Sequence, residues 1–198
     1  MGRGAVNAPA PDKGVPAGPR ISVQSNLLWD FCTWAYKEPG VEKALLALQG
    51  KHAIDVNIVL FCLWLAHVGM GSSMLARYLA GALKLSRDWQ RNLVEPLRGV
   101  RTNMKDFIDS SDMVGPHRIA AAALRERVKA CEQDMEHLQI LALYDLVLEP
   151  AEARARSPAE KKDDANNNLT VYFSATGVKL DPLAQAQVMR ILTAVFGA

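Results

Sequence analysis

Four polar residues that could support acid–base or metal chemistry lie close to the most apolar part of the sequence: Asp30, His52, Asp55 and Asn57. A histidine beside carboxylates can transfer protons near neutral pH or bind a metal ion. The alternative is structural, with Asp55 as a helix cap, Asn57 bonded to a neighbouring backbone group and His52 in a loop. We favour this alternative, because a carboxylate in the first turn of a helix needs no catalytic role.

The common motifs of metal and nucleotide enzymes are missing from the sequence. Asp134-x-x-His137 approaches the Glu-x-x-His pairs of di-iron bundles, but it occurs once. There is no G-x-S-x-G, phosphate-binding loop or dinucleotide fingerprint. The three cysteines form no C-x-x-C pair. We therefore predict no metal and no cofactor, and we favour a protein without enzymatic activity.

Helices around one apolar segment would position the four polar residues. The run from Ile58 to Ala66 is apolar for nine residues, against the ~20 that a membrane-spanning helix needs. It predicts a buried central helix with Asp55 as its N-cap. Other helices are predicted over 27–37, 41–49, 74–85, 86–108 and 118–148. Ser86 begins the helix 86–108, in which Pro96 predicts a kink or break. Residues 169–176 are predicted as a short helix ending near Gly177, and a last helix follows Asp181-Pro182.

Composition divides the chain into four segments. We predict a disordered Gly- and Pro-rich tail over 1–22, a helical bundle domain over 23–149, a flexible polar linker over 150–167 and a C-terminal helical extension over 168–198. The fold class is therefore an all-α, multi-helix bundle. The first twenty residues lack the apolar core of a secretory signal, and no segment is long enough to span a membrane, so we expect a cytoplasmic protein.

A basic row follows the predicted helix 86–108. Between Arg77 and Lys105 there are seven basic and two acidic residues. Such a face could bind phosphates of nucleic acid or of anionic lipid. Alternatively, it is a solvated face or is partly paired with the acidic long helix of the same molecule. The candidate binding residues are Arg87, Arg91, Arg98, Arg101 and Lys105.

The two long helices also carry apolar rows. The first row comprises Trp89, Leu93, Leu97, Val100, Met104 and Phe107. Because Trp89 lies in this apolar row, we expect it to be a core residue. The second is a heptad-like seam of Leu124, Val128, Cys131, Met135, Leu138 and Ala142. The seam could pack inside the bundle, or it could bind a second copy or a partner helix.

Residues 26–145 resemble an uncharacterised proteobacterial family classed as a domain of unknown function. The resemblance rests on Leu28-Trp29-Asp30-Phe31, Tyr36, Pro39-Gly40-Val41, Leu46-Ala47-Leu48-Gln49, Asp55-Val56-Asn57 and Leu60-Phe61-Cys62-Leu63-Trp64-Leu65. Downstream it includes Trp89, Val94, Pro96-Leu97-Arg98, Leu124-Arg125 and Arg127-Val128-Lys129. The resemblance implies a helical fold and supplies no activity, cofactor or catalytic residue.

These observations favour a non-enzymatic helical module that acts through contacts with a protein partner or with a second copy. Two alternatives stay open. One is an enzyme of unknown reaction with a small polar site near Asp30, His52 and Asp55. The other is a binder of nucleic acid or an anionic surface through the basic row on 87–105.

Overall fold

The computed structural model describes residues 25–147 and 155–197. Within these ranges the chain forms eight α-helices and one π-helical segment, with no strand, so the all-α prediction is confirmed. The helices are α1 Leu27–Lys37, α2 Val41–His52, α3 Val56–His67, α4 Ser72–Trp89, α5 Glu95–Ser110, α6 Gly115–Asp145, α7 Pro158–Thr176 and α8 Pro182–Phe196, and the π-helical segment is Gln90–Val94. The tail predicted over 1–22 lies outside the described residues.

Helix α3 is the centre of the fold. Every side chain from Ile58 to Ala66 is at most 2% exposed, because α1, α2, α4, α6 and α7 all pack against this helix. Asp55 is its N-cap, and Asp55 Oδ1 accepts a hydrogen bond from the backbone N–H of Asn57 at 2.7 Å. The predicted central helix and its cap are therefore present. No helix in the described ranges is long and apolar enough to cross a membrane.

The two C-terminal helices share this core. Helix α7 packs along α3 and buries Ala165, Leu169, Tyr172 and Phe173, and α8 packs on α2. Residues 158–167, predicted as part of a flexible linker over 150–167, are instead the first half of α7. The segment 168–198, predicted as a separate extension, contains the rest of α7 and α8. Of the remainder of the predicted linker, 150–154 lies outside the described residues and 155–157 precedes α7.

Two local features explain why this polar segment is helical. Ser157 and Glu160 form a capping box: Ser157 Oγ accepts from the Glu160 N–H, and the Glu160 carboxylate accepts from the Ser157 N–H. Farther along, the fully buried Asn168 donates from Nδ2 to the carbonyls of Cys62 and Met70 at 3.0 and 3.1 Å. The polar residues of α7 are therefore its solvent face, with one amide bonding the end of α3. The helices predicted to end at Gly177 and to start after Asp181 are present.

Helix α4, the π-helical segment and α5 are continuous from Ser72 to Ser110. The predicted start of a new helix at Ser86 is therefore wrong, because Ser86 is buried within α4 and its hydroxyl donates to Asp55 Oδ2. The distortion predicted at Pro96 takes the form of the π-helical segment just before it. Glu95 N–H donates to the carbonyl of Gln90, five residues back, which accommodates a proline that lacks an N–H.

Helices α5 and α6 form an antiparallel hairpin joined by residues 111–114. The rows that face each other across this pair are Val94, Arg101 and Ile108 on one side, and Arg125, Glu132 and Gln139 on the other. Trp89 of the first apolar row is half-buried, and its Nε1 donates to the carbonyl of Met135 at 2.7 Å, whereas Leu93, Val100 and Phe107 of the same row are 37, 49 and 65% exposed. An Arg–Glu network between the helices occupies the inward face, and the apolar row is rotated to its flank.

Candidate functional site

Asp55 joins the start of α3 to three other helices. Its Oδ1 caps α3, and its Oδ2 accepts from the Ser86 hydroxyl of α4 and from Gln139 Nε2 of α6, the latter at 3.0 Å. The backbone N–H of Asp55 donates to the Tyr172 hydroxyl of α7 at 3.1 Å. Both carboxylate oxygens are therefore engaged in bonds that hold the bundle together.

Gln139 completes this network from α6. It is fully buried, and its Oε1 accepts hydrogen bonds from Asn57 Nδ2 and from Gln90 Nε2, both at 3.0 Å. Asn57 Nδ2 also reaches the carbonyl of Glu136 at 3.5 Å. Buried polar groups that are paired with one another specify packing. This geometry favours structural roles for Asp55 and Asn57 over proton transfer.

The other two candidates of the predicted polar site lie in different surroundings. Asp30 is exposed on α1, and its carboxylate accepts no hydrogen bond from a described residue. His52, at the end of α2, has its Nε2 3.9 Å from Asp181 Oδ2, and Lys51 pairs with the same carboxylate. The structure therefore brings Asp55 and Asn57 into one network and gives Asp30 and His52 other neighbours. Across the part of the chain that the structure describes, no three His, Cys, Asp or Glu side chains are arranged to hold a metal ion.

A cleft of about 1270 Å³ opens beside the network, between α1–α2 and α5–α6. The rings of Trp29 and His137 form one wall and stack with centroids 3.5 Å apart and an interplanar angle of 20°. Tyr36 also lines the cleft. Burial raises the pKa of the Tyr36 phenol, and the carboxylates of Glu42 and Glu136 raise it further. The cleft thus combines aromatic surface with nearby negative charge.

Two arginines of α5 meet two glutamates of α6 on the opposite wall. Arg98 Nε lies 2.8 Å from Glu132 Oε1, Arg98 Nη2 lies 2.9 Å from Glu136 Oε1, and Arg101 Nε lies 2.6 Å from Glu132 Oε2. Glu132 is 5% exposed. Burial opposes its ionisation, but the hydrogen bonds from Arg101 and Arg98 outweigh burial and lower its pKa.

The pKa of Glu136 is shifted in the opposite direction. Burial raises its pKa, and the carboxylates of Glu132 and Asp55 add to this effect against the opposing influence of Arg98. Only Oε1 of Glu136 is bonded to Arg98, and its side chain is 37% exposed. Glu136 is therefore a carboxyl group at the cleft with spare hydrogen-bonding capacity.

The predicted basic row divides into two parts. Arg98 and Arg101 face α6 and are used in the pairs with Glu132 and Glu136, as the paired alternative anticipated. Arg87, Arg91 and Lys105 are exposed and form no ion pair with any described residue. The row is thus not one continuous free basic surface.

The hairpin carries a second notable surface, which we call the apolar face: Val100, Phe107, Leu124 and Cys131, with Leu93 at one end. Leu124 is 50% exposed, and Cys131 is exposed while Cys32 and Cys62 are buried. In the seam predicted on α6, Val128, Met135, Leu138 and Ala142 are half-buried. The seam is therefore only partly covered within the monomer.

Sequence reasoning did not select Tyr36, Glu132, Glu136 or Gln139. The acidic residues could have been found from their spacing, because positions 132 and 136 lie one turn apart on α6 and match Arg98 and Arg101 at similar spacing on α5. Gln139 gave no such signal, since its role depends on residues 49 to 84 positions away in the chain.

The comparisons with known proteins identify a family but no activity. The family described as "Protein of unknown function (DUF2390)" matches residues 27–143, more than half of the chain. The chain belongs to this family, as the sequence resemblance indicated. No curated protein and no solved structure matches the chain.

Proposed function

We propose that this member of the DUF2390 family is a helical protein-interaction module whose partner is a second copy of the chain, bound through the apolar face of the hairpin. The observation that supports this most directly is the exposure of large apolar side chains in register on both helices. Val100, Phe107 and Leu124 are 49, 65 and 50% exposed, whereas every residue from Ile58 to Ala66 of α3 is at most 2% exposed. Grouped exposed apolar side chains are typical of interaction surfaces.

The two apolar rows lie on the same side of the hairpin. On the π-helical segment and α5, the exposed residues Leu93, Val100 and Phe107 each precede by one position an inward-facing residue, at 94, 101 and 108 respectively. On α6, Leu124 and Cys131 each precede the inward-facing residues 125 and 132. Each exposed row is offset by one residue from the inward-facing row of its own helix. Because the two helices are antiparallel and both are right-handed, this offset turns both exposed rows toward the same side of the hairpin. The hairpin therefore offers a two-helix surface, which is half of a four-helix bundle.

The seam on α6 suits antiparallel pairing with itself. If α6 of two copies cross near residues 129 and 130, Leu124 packs on Met135 of the second copy and Val128 packs on Cys131 of the second copy. A two-fold axis repeats each contact, as expected for a symmetric dimer. Apolar residues thus meet apolar residues through this part of the seam.

Charge complementarity supports the same register. Arg127 and Asp134 are seven residues apart and so lie on one side of α6, next to the seam. Neither forms an ion pair with a described residue. In the proposed pairing, Arg127 of each copy lies opposite Asp134 of the other, which gives two equivalent ion pairs. This complementarity favours a second copy over an unrelated partner.

Sedimentation of the full chain over a range of concentrations tests the proposal. The wild type is expected to reach twice the 21.7 kDa mass of the chain. Val100→Asp should weaken the dimer by more than about thirtyfold, since it places a charge in the apolar face. The control Leu183→Asp, at a residue 71% exposed on α8, should leave the dimer unchanged. A chain that sediments as a monomer at every concentration contradicts the proposal.

A charge exchange tests the identity of the partner. Arg127→Glu alone and Asp134→Arg alone should each weaken the dimer about tenfold, because each places like charges in both symmetric contacts. The double variant restores opposite charges and should recover most of the affinity. If the double variant is no tighter than the single variants, α6 does not pair with itself in this register.

A further inference from the structure

The cleft beside the Asp55 network is a second surface that the proposed dimer does not use. Its volume of about 1270 Å³ exceeds the roughly 300–1,000 Å³ of most small-molecule sites. It lies between α1–α2 and the flank of α6 that carries Glu136 and His137, whereas the apolar face lies on the other flank of the hairpin. The cleft can therefore hold a ligand in either association state.

The charge balance inside the cleft favours a cation. Its lining includes five acidic side chains and four basic ones, which are Glu38, Glu42, Asp55, Glu132 and Glu136 against Lys37, Lys43, Arg98 and Arg101. Glu132 uses both arginines, and Asp55 uses both of its oxygens within the buried network. Among the carboxylates of α3 and α6 in the cleft, Glu136 is the one with an unbonded oxygen: its Oε1 pairs with Arg98 Nη2 at 2.9 Å, and its Oε2 accepts no hydrogen bond from a described residue. A bound cation would supply that partner.

The aromatic walls suit the same ligand. Trp29, stacked on His137, and Tyr36 both line the cleft beside Glu136. A cation over the face of tryptophan or tyrosine is attracted by the electron density of the ring. After burial, the charges of Glu42 and Glu136 are the further causes that raise the pKa of the Tyr36 phenol, so both carboxylates lie near this ring. Aromatic surface and a carboxylate together are the features that bind an amine on an apolar body.

We propose that the cleft binds a small organic cation, an ammonium or guanidinium group carried on an aromatic or apolar body, with the cationic group at Glu136 and the body against Trp29 and Tyr36. The site differs from the predicted cluster of Asp30, His52 and Asp55, because its charge is supplied by Glu136 of α6. It also uses residues on the other flank of the hairpin from the apolar face of the proposed dimer.

Calorimetric titration of the full chain tests this site with two probes of similar shape. Phenethylamine carries the cation, and 2-phenylethanol is its neutral counterpart. Phenethylamine should bind at least tenfold more tightly than the alcohol. Equal affinity for both probes, or no binding of the amine at millimolar concentration, would overturn the proposal. This comparison needs no variant and so does not depend on the folding of one.

A variant then locates the charge. Glu136→Gln keeps the shape of the side chain and should weaken phenethylamine binding by at least tenfold while leaving 2-phenylethanol unchanged. Glu126→Gln is the matched control, because Glu126 is exposed on the same helix outside this cleft. Unchanged amine affinity in Glu136→Gln, with its helical circular dichroism intact, would contradict the assignment.

Discussion

The bundle around α3 and the α5–α6 hairpin use opposite arrangements of apolar and charged residues. Around α3, apolar side chains face inward, and the buried amides of Gln139 and Asn168 bond to polar side chains or to backbone carbonyls. In the hairpin, Glu132 and its arginines occupy the inward face, and Val100, Phe107 and Leu124 lie outside. Burial of apolar area is the main source of folding stability. The core around α3 is therefore enclosed within one chain, whereas the hairpin retains apolar area on both of its helices that a partner can cover.

The largest expected difference in unfolding free energy comes from replacing a leucine by alanine in each of the two regions. Leu63→Ala in α3, where the leucine is fully buried, should lower the free energy of unfolding by about 3–4 kcal/mol. Leu124→Ala in the hairpin should lower it by less than about 1 kcal/mol when measured on the monomer at low concentration. Urea unfolding followed by circular dichroism measures both. Equal losses would remove the distinction between an enclosed bundle and an open hairpin.

The buried polar network should give the next largest effect. Gln139→Leu removes the partner of Asp55, Asn57 and Gln90 at once, and groups left unpaired in the interior should cost about 2–3 kcal/mol. Gln133→Leu is the matched control, since Gln133 is exposed on the same helix. Thermal unfolding compares the two variants. If they lose equal stability, the network does not join the helices as described.

The ion pairs of the hairpin should contribute less, because Arg98 and Arg101 remain partly in contact with water. Glu132→Gln should cost about 1–2 kcal/mol at pH 7. The pKa of Glu132 is below its ordinary value, since the bonds from Arg101 and Arg98 outweigh its burial. Its contribution is thus complete above the ordinary glutamate pKa of about 4.3 and is lost as the pH falls through the lower pKa of the folded state.

Denaturant unfolding at several pH values checks the direction of this pH dependence. Wild type should lose stability more steeply than Glu132→Gln below about pH 4. Because the Glu132 carboxylate also helps to raise the pKa of Glu136, the comparison is repeated with Glu136→Gln in both proteins, so that only residue 132 differs. A constant difference between the two proteins from pH 7 to pH 3 would show that the carboxylate of Glu132 does not stabilise the hairpin.

Local signals in the sequence predicted the parts of the fold that depend on neighbouring residues. Asp55 before an apolar run, Gly177 after a helix and Asp181-Pro182 before one all act within a turn of their own position. The capping box at Ser157 and Glu160 is also a local signal, but the prediction of a linker over 150–167 used composition alone and did not consider it.

Features that depend on distant residues could not be predicted in this way. Ser86 resembles a helix start, yet Asp55, 31 positions away, binds its hydroxyl inside α4. The apolar row of α5 has the spacing of a core face, but Glu132 of α6 attracts Arg98 and Arg101 to the inside and turns that row outward. The candidate cleft likewise requires α1, α2 and α6 to meet. The spacing of residues within one helix does not predict contacts between helices that are distant in the sequence.

The most direct test of the contrast between the two regions is the rate of thiol alkylation as a function of protein concentration. Cys131 is exposed on the apolar face of the hairpin, and Cys32 and Cys62 are buried in the bundle and serve as internal references. We predict that Cys131 reacts rapidly at low concentration and more slowly as the dimer forms and Val128 of the second copy covers it, while Cys32 and Cys62 stay unreactive throughout. A Cys131 rate constant that is independent of concentration, up to the highest attainable, would contradict self-association through the hairpin.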